Sequence, residues 1–252
     1  MYKQKFLTAA VATTLLAGAG LSQAQEKDDM DVASGDGFEI SGNVALTSDY
    51  RFRGISQSDE SAAIQGGFDV AFAPGFYIGT WGSSVDFDSN EGYDGSLELD
   101  YYAGWSSAIG DTDFGIDVGY IYYDYPGDNG DKGDYQEFYV SGSWKDLSIS
   151  VNYSDDYYAE TDEFWYYAAD YSLTLIENLS LGLHVGYNKL EQGGGFLSSD
   201  EDNYTDYSVS LSYAVAGVDL SVAYVGITLD EDDVVGTDWG EDTAIVTISK
   251  SM

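Results

Sequence analysis

Apolar and polar residues alternate with a period of two from Phe38 to Ile248, and the pattern restarts about twelve times. Successive side chains of an extended chain point to opposite faces, so each stretch reads as a β-strand with one apolar and one polar face. In the first stretch Phe38, Ile40, Val44, Leu46, Tyr50 and Phe52 take even numbers. Glu39, Ser41, Asn43, Thr47, Asp49, Arg51 and Arg53 take odd ones. Further along, Ile64, Phe68, Val70 and Phe72 oppose Gln65 and Asp69, and Tyr77, Trp81 and Val85 form the apolar stripe of the next strand. Leu97, Leu99, Tyr101 and Trp105 oppose Glu98 and Asp100. Phe114, Ile116, Val118, Tyr120 and Tyr122 oppose Asp113 and Asp117. The same holds for Phe138, Val140 and Trp144 against Glu137, for Trp165 to Leu175 against Asp170, and for Leu179 to Tyr187 against His184. Tyr207 to Tyr213 likewise oppose Asp206.

The connectors between these stretches alternate in length. Short ones fall at residues 73–75, 108–112, 145–146, 176–178 and 214–217; long polar ones fall at 54–60, 86–95, 124–134, 154–162, 189–203 and 228–242. Short turns interleaved with long loops are the mark of a transmembrane antiparallel up-and-down β-barrel, with short periplasmic turns and long external loops. The expected fold is therefore all-β, a barrel of about twelve strands over residues 37–252, with both termini on the short-turn side. A soluble sandwich or small soluble barrel also alternates, with its apolar face turned inward. Twelve apolar stripes would overfill such an interior, and polar stripes rich in Ser, Gly and Thr suit a lumen better than a solvent face.

The first residues support export. Lys3 and Lys5 precede an apolar stretch ending near Leu21, and Ser22-Gln23-Ala24 supplies small residues for cleavage. Residues 1–24 read as a signal peptide and 25–36 as an acidic N-terminal segment. Beyond them no apolar run reaches the ~18 residues of a spanning helix. Aromatic residues gather near strand ends in two expected girdles. Tyr50, Phe52, Tyr120, Tyr122, Tyr153, Trp165, Tyr187 and Tyr224 lie toward the loops; Phe72, Trp105, Phe114, Trp144, Tyr171 and Tyr213 lie toward the turns. The last strand carries Ala244, Val246 and Ile248 and ends at Met252 on the same parity, with Lys250 breaking the stripe.

Charge narrows the function. Nine Lys and Arg stand against 45 Asp and Glu, a formal net charge of −36, so nucleic acid is not an expected partner. The absence of cysteine removes disulfides and thiolate metal sites. Polar parity places Asp49, Asp69, Glu98, Asp100, Asp117, Glu137, Asp170, His184 and Asp206 in the lumen, together with Arg51 and Arg53, the only arginines of the chain. Carboxylates around a narrow wet pore concentrate cations, because low-dielectric walls focus the field. The expectation is passive diffusion of small polar solutes through a narrow acidic lumen, weakly cation-selective or permeable to zwitterions. Two readings of the arginines stay open: they set a transverse field across the pore, or they neutralise buried carboxylates and fix the first strand. A closed lumen is the alternative, leaving a structural or adhesive barrel acting through its loops.

Those loops are acid-dense at Asp155-Asp156, Asp200-Glu201-Asp202 and Asp230-Glu231-Asp232-Asp233. Divalent cations could bridge them to one another or to lipopolysaccharide, although a solvated face adapted to a salty medium is the favoured explanation. The segment 128–134 does not match an EF-hand, since glycines occupy ligand positions. His184, the single histidine, shares its face with Ser180 and Asn188 inside the barrel, whereas a lipid hydrolase needs its Ser/His pair toward the bilayer. No nucleophile elbow, phosphate loop or metal-binding histidine cluster occurs, so neither enzyme activity nor a cofactor is expected. The oligomeric state stays open.

One segment is more specific. Ser48-Asp49-Tyr50-Arg51-Phe52-Arg53-Gly54-Ile55-Ser56-Gln57-Ser58 resembles the opening strand and loop of the TorF-like porins of proteobacteria, with further echoes at Leu97 to Gly104 and Gly119 to Pro126. The resemblance implies an outer-membrane channel. It supplies neither a solute nor a catalytic residue.

Overall fold

A computed structural model describes residues 37–87, 95–127, 133–191, 193–230, 233–234 and 236–252. The expected signal peptide and acidic N-terminal segment lie outside the described residues, as do 128–132 and 231–232 of the acidic loops. The strands in chain order are β1 (Phe38–Thr47), β2 (Arg51–Phe52), β3 (Ile55–Ser56), β4 (Ala63–Phe72), β5 (Phe76–Ser84), β6 (Leu97–Ala108) and β7 (Phe114–Asp124). They continue as β8 (Tyr135–Trp144), β9 (Leu147–Ser154), β10 (Phe164–Ile176), β11 (Leu179–Leu190), β12 (Asn203–Val215), β13 (Val218–Ile227) and β14 (Thr243–Ser251).

β1 and β4 to β14 form one closed barrel of twelve strands, each hydrogen-bonded to its sequence neighbour, while β2 and β3 form a separate two-stranded sheet. Closure is made by β1 against β14, from Asn43 opposite Ser251 to Thr47 opposite Thr247. Met252 completes the seam by exchanging backbone hydrogen bonds with Gly42. A closed barrel leaves no unpaired strand edge, the condition for backbone to cross lipid as β-structure.

The outer face is apolar. Ile40, Leu46, Ile64, Phe68, Ile149, Val222 and Val246 are all exposed on it, as are Phe72, Phe114, Trp144, Tyr171 and Tyr213 of the expected turn-side girdle. For a soluble protein this would be an untenable surface; a bilayer covers such a belt.

Three sequence expectations fail in detail. β1 stops at Thr47 rather than running to Phe52, because the chain then turns into the barrel. Tyr50 is consequently buried, and Phe52 packs against the interior cluster instead of joining a girdle. On β5 the apolar stripe is inverted. Tyr77, Trp81 and Val85 are buried inside, while Phe76 and Ile78 face outward. The register explains this, since Phe76 pairs with the outward Phe72 across the turn and fixes the facing of every residue after it.

The interior is therefore not lined by small polar residues alone. Tyr77, Trp81, Tyr102, Tyr123, Tyr135, Tyr139, Tyr166 and Tyr204 all project into it from β5 to β12 and are buried. The wall from β12 through β14 to β1 is small, with Ser208, Ser210, Ser212, Ser221, Thr247 and Ala45. The inward segment between β1 and β4 reaches that wall.

Candidate functional site

Arg51-Phe52-Arg53-Gly54-Ile55-Ser56 makes a tight hairpin within the barrel mouth. Arg51 pairs with Ser56 and Phe52 with Ile55, leaving Arg53 and Gly54 as a two-residue turn. Both turn residues have positive φ, 48° and 83°, as a type I′ turn requires. At Gly54 there is also no room for a side chain, because a Cβ would stand 2.2 Å from Ile227 Cγ2 on β13. The hairpin tip thus seats against the wall of β12 and β13.

Two arginines hold it there. Arg51 Nε donates to Asp49 Oδ2 at 2.6 Å, and its Nη2 reaches Glu60 Oε1 at 3.1 Å. Its Nη1 donates to the carbonyls of Trp239 at 2.7 Å and Glu241 at 2.9 Å, tying the hairpin to the connector before β14. That connector holds a single 3₁₀ turn, Asp238–Gly240, and Trp239 returns an Nε1–H bond of 2.8 Å to Asp59 Oδ1. Asp49 is completed by the Ser56 hydroxyl at 2.7 Å.

Arg53 extends across the interior to Glu137 on β8. The two groups meet fork to fork, Nη1 to Oε1 at 2.7 Å and Nη2 to Oε2 at 2.8 Å. The guanidinium lies 4.3 Å from the ring centre of Tyr166, 4.7 Å from Phe52 and 4.8 Å from Phe164, and Nη1 donates to the Tyr157 hydroxyl at 3.2 Å. Burial opposes the Arg53 charge, and the Glu137 carboxylate more than offsets it, so the guanidinium pKa is held well above its ordinary value. Glu137 is fully buried and also accepts from Asn152 Nδ2 at 2.9 Å.

A second centre lies beside it. His184 Nδ1 stands 2.7 Å from Asp170 Oδ1 and Nε2 stands 2.8 Å from Asp206 Oδ1. With a carboxylate at each ring nitrogen, this is the hydrogen-bond pattern of an imidazolium. Asp206 also accepts from the Tyr166 hydroxyl at 3.1 Å and from Asn188 Nδ2 at 2.7 Å. Tyr166 therefore touches both centres, with its ring on Arg53 and its hydroxyl on Asp206. His184 meets carboxylates and a tyrosine here.

The remaining predicted residues divide by depth. Toward the loops, Glu98 and Asp100 are buried on β6. Glu98 Oε2 and Asp100 Oδ1 have no hydrogen-bond partner among the described residues. Toward the turns, Asp69 accepts from Tyr102 and Asp117 from Tyr77, both at 2.6 Å, and both carboxylates are only half-buried. Tyr77 in turn touches the Tyr139 hydroxyl. The Asp170 side chain retains 38% of its exposure against 2% for Asp206. The interior carboxylates are thus buried at the loop side and more exposed toward the turns.

All eleven residues singled out from the sequence lie on the barrel's interior or on the inward hairpin. Sequence reasoning missed the aromatic partners that bind them. A signal existed: Tyr102, Tyr123, Tyr139, Tyr166 and Tyr204 sit on the polar parity of their strands, where a purely polar lumen has no use for them. At the rim, Lys189 pairs with Asp202, whose pKa is lowered chiefly by that hydrogen bond. Among the described residues no three His, Cys, Asp or Glu side chains converge as metal ligands.

A closed twelve-strand barrel, lipid-facing outside and carrying charges within, is the architecture of the outer-membrane porins. The solved KdgM porin is similar at a TM-score of 0.55 and 13% identity, covering 84% of this chain and 99% of that one. KdgM in complex with disordered oligogalacturonate gives 0.52 at 13%, covering 84% and 98%, and the NanC porin gives 0.51 at 11%, also covering 84% and 98%. No curated protein matches the chain. A family model does, over residues 31–252, and the chain belongs to that family, described as "Bacterial protein of unknown function (Gcw_chp)".

Proposed function

We propose that the protein is a narrow, non-enzymatic outer-membrane channel for small polar solutes, favouring cations and zwitterions over anions. The observation that carries this reading is the imbalance of charge inside the barrel. Arg51, Arg53 and His184 are each committed to carboxylates, whereas the half-buried Asp69 and Asp117 have no basic partner among the described residues. A permeating cation meets a field that draws it in, and an anion meets the reverse. The segment 48–58 that resembles TorF-like porins supports the same class, and it is the segment that forms the inward hairpin. An acidic oligosaccharide such as the one recorded with KdgM would be repelled here.

The hairpin packs into the loop side of the interior, which supports a closed form in which it blocks the lumen. This favours, as a second reading, a structural barrel that never conducts. Proteoliposome swelling with small amines, neutral amino acids and sugars, compared with organic anions, separates the two. Uptake of amines and zwitterions ahead of anions is expected. Equal exclusion of every solute, even after the hairpin is replaced by a flexible linker, would establish the closed barrel.

A further inference from the structure

The pocket around Arg53 belongs mainly to the barrel, not to the hairpin. Glu137, Asn152, Phe164 and Tyr166 sit on β8, β9 and β10; the last three are held by ladder pairs on both sides, and Glu137 by its pair with Ile121 on β7. Tyr157 adds a hydroxyl from the loop before β10. Only Phe52 and Arg53 come from the hairpin. Removing the hairpin would leave a carboxylate with both oxygens aimed inward, between aromatic faces at cation–π distance. Its geometry is specific, since a planar fork satisfies both Glu137 oxygens at once and an ammonium does not.

Arg53 also occupies an unfavourable backbone position. A type I′ turn takes Asn, Asp or Gly at its first central residue, and a long side chain at φ 48° is there despite the backbone. The side chain is what the position serves.

We propose that this pocket is a recognition site for a guanidinium group carried by a solute, with Arg53 as its built-in occupant in the closed form. A guanidinium solute arriving in the lumen exchanges with Arg53, releases the hairpin tip from Glu137 and so favours its own passage. The site rests on the channel reading for its purpose, but not for its binding chemistry.

The test uses the full-length barrel in detergent and in planar bilayers, with methylguanidinium as the probe and methylammonium at equal ionic strength as the control. In Arg53→Ala, methylguanidinium is expected to raise the thermal midpoint saturably, methylammonium to act at least about tenfold more weakly, and Arg53→Ala/Glu137→Gln to lose the response. In the unmodified protein, methylguanidinium is expected to raise the frequency of channel openings above that in methylammonium, which keeps the test intact if Arg53→Ala fails to fold. Indifference of Arg53→Ala to methylguanidinium, or an equal response without the Glu137 carboxylate, would overturn the site. Where Arg53→Ala fails to fold, equal opening in the two cations overturns it. Glu137-dependent binding in a barrel that never conducts would instead sink the channel and leave the site standing.

Discussion

Arg53 and Glu137 form a buried fork-to-fork pair, and the consequence of breaking it depends on how it is broken. Removing one partner leaves an uncompensated buried charge, so Arg53→Ala should destabilise the barrel by about 3–5 kcal/mol in denaturant unfolding from micelles. Arg53→Met/Glu137→Leu should cost far less, because no buried charge is stranded. A double variant as unstable as the sum of the single ones would show that the pair is not coupled. Gly54 offers a steric test at the same tip. Gly54→Ala places a methyl 2.2 Å from Ile227 Cγ2 and demands positive φ of a non-glycine residue. Loop 48–62 should then become susceptible to protease in intact vesicles, with partial protection restored by adding Ile227→Ala. Resistance equal to the parent would mean that the tip does not seat against β13. The two arginines were conspicuous in the sequence as the only ones present, and polar parity placed them inward. Their partners were not visible there, because Glu137 lies 84 residues from Arg53 and one carboxylate of the polar stripes looks like another.

The twelve barrel strands were legible because a lipid belt forces a period of two on every strand, and the connectors exposed the topology through their lengths. The hairpin was not. Tyr50 and Phe52 continue the even-numbered stripe of β1 without a break, so nothing in the alternation marks the end of the strand at Thr47. The Arg53-Gly54 turn is also not the Asn-Gly or Asp-Gly pair that announces a hairpin. Inverted facing in β5 has a related cause: Tyr and Trp suit a membrane interface and a packed interior equally well. As an element, the hairpin is separable, since it shares no ladder with the barrel. Replacing residues 51–56 with a Gly/Ser linker should leave a barrel that still migrates as folded in unheated gels and conducts more strongly in single-channel recordings. Unchanged conductance would place the constriction elsewhere.

At the scale of the molecule, an apolar exterior encloses an acidic interior, and each half makes its own demand. Val222 is exposed near the middle of β13, and its neighbour Val246 is exposed on β14. Val222→Arg should therefore cost about 2–4 kcal/mol in bilayer-referenced unfolding, the depth-dependent penalty of a charge at the midplane. A negligible penalty would argue against a membrane-facing belt at that position. The interior makes the functional demand: in the proposed channel, the carboxylates left without basic partners would set the sign of the field that a solute meets. The most direct measurement is the reversal potential across a potassium chloride gradient in a planar bilayer, taken on the unmodified barrel and on the hairpin-replaced variant. The account predicts potentials of the sign that marks preference for potassium in both, reduced at high salt as screening sets in. A potential of the opposite sign, marking preference for chloride, would contradict it.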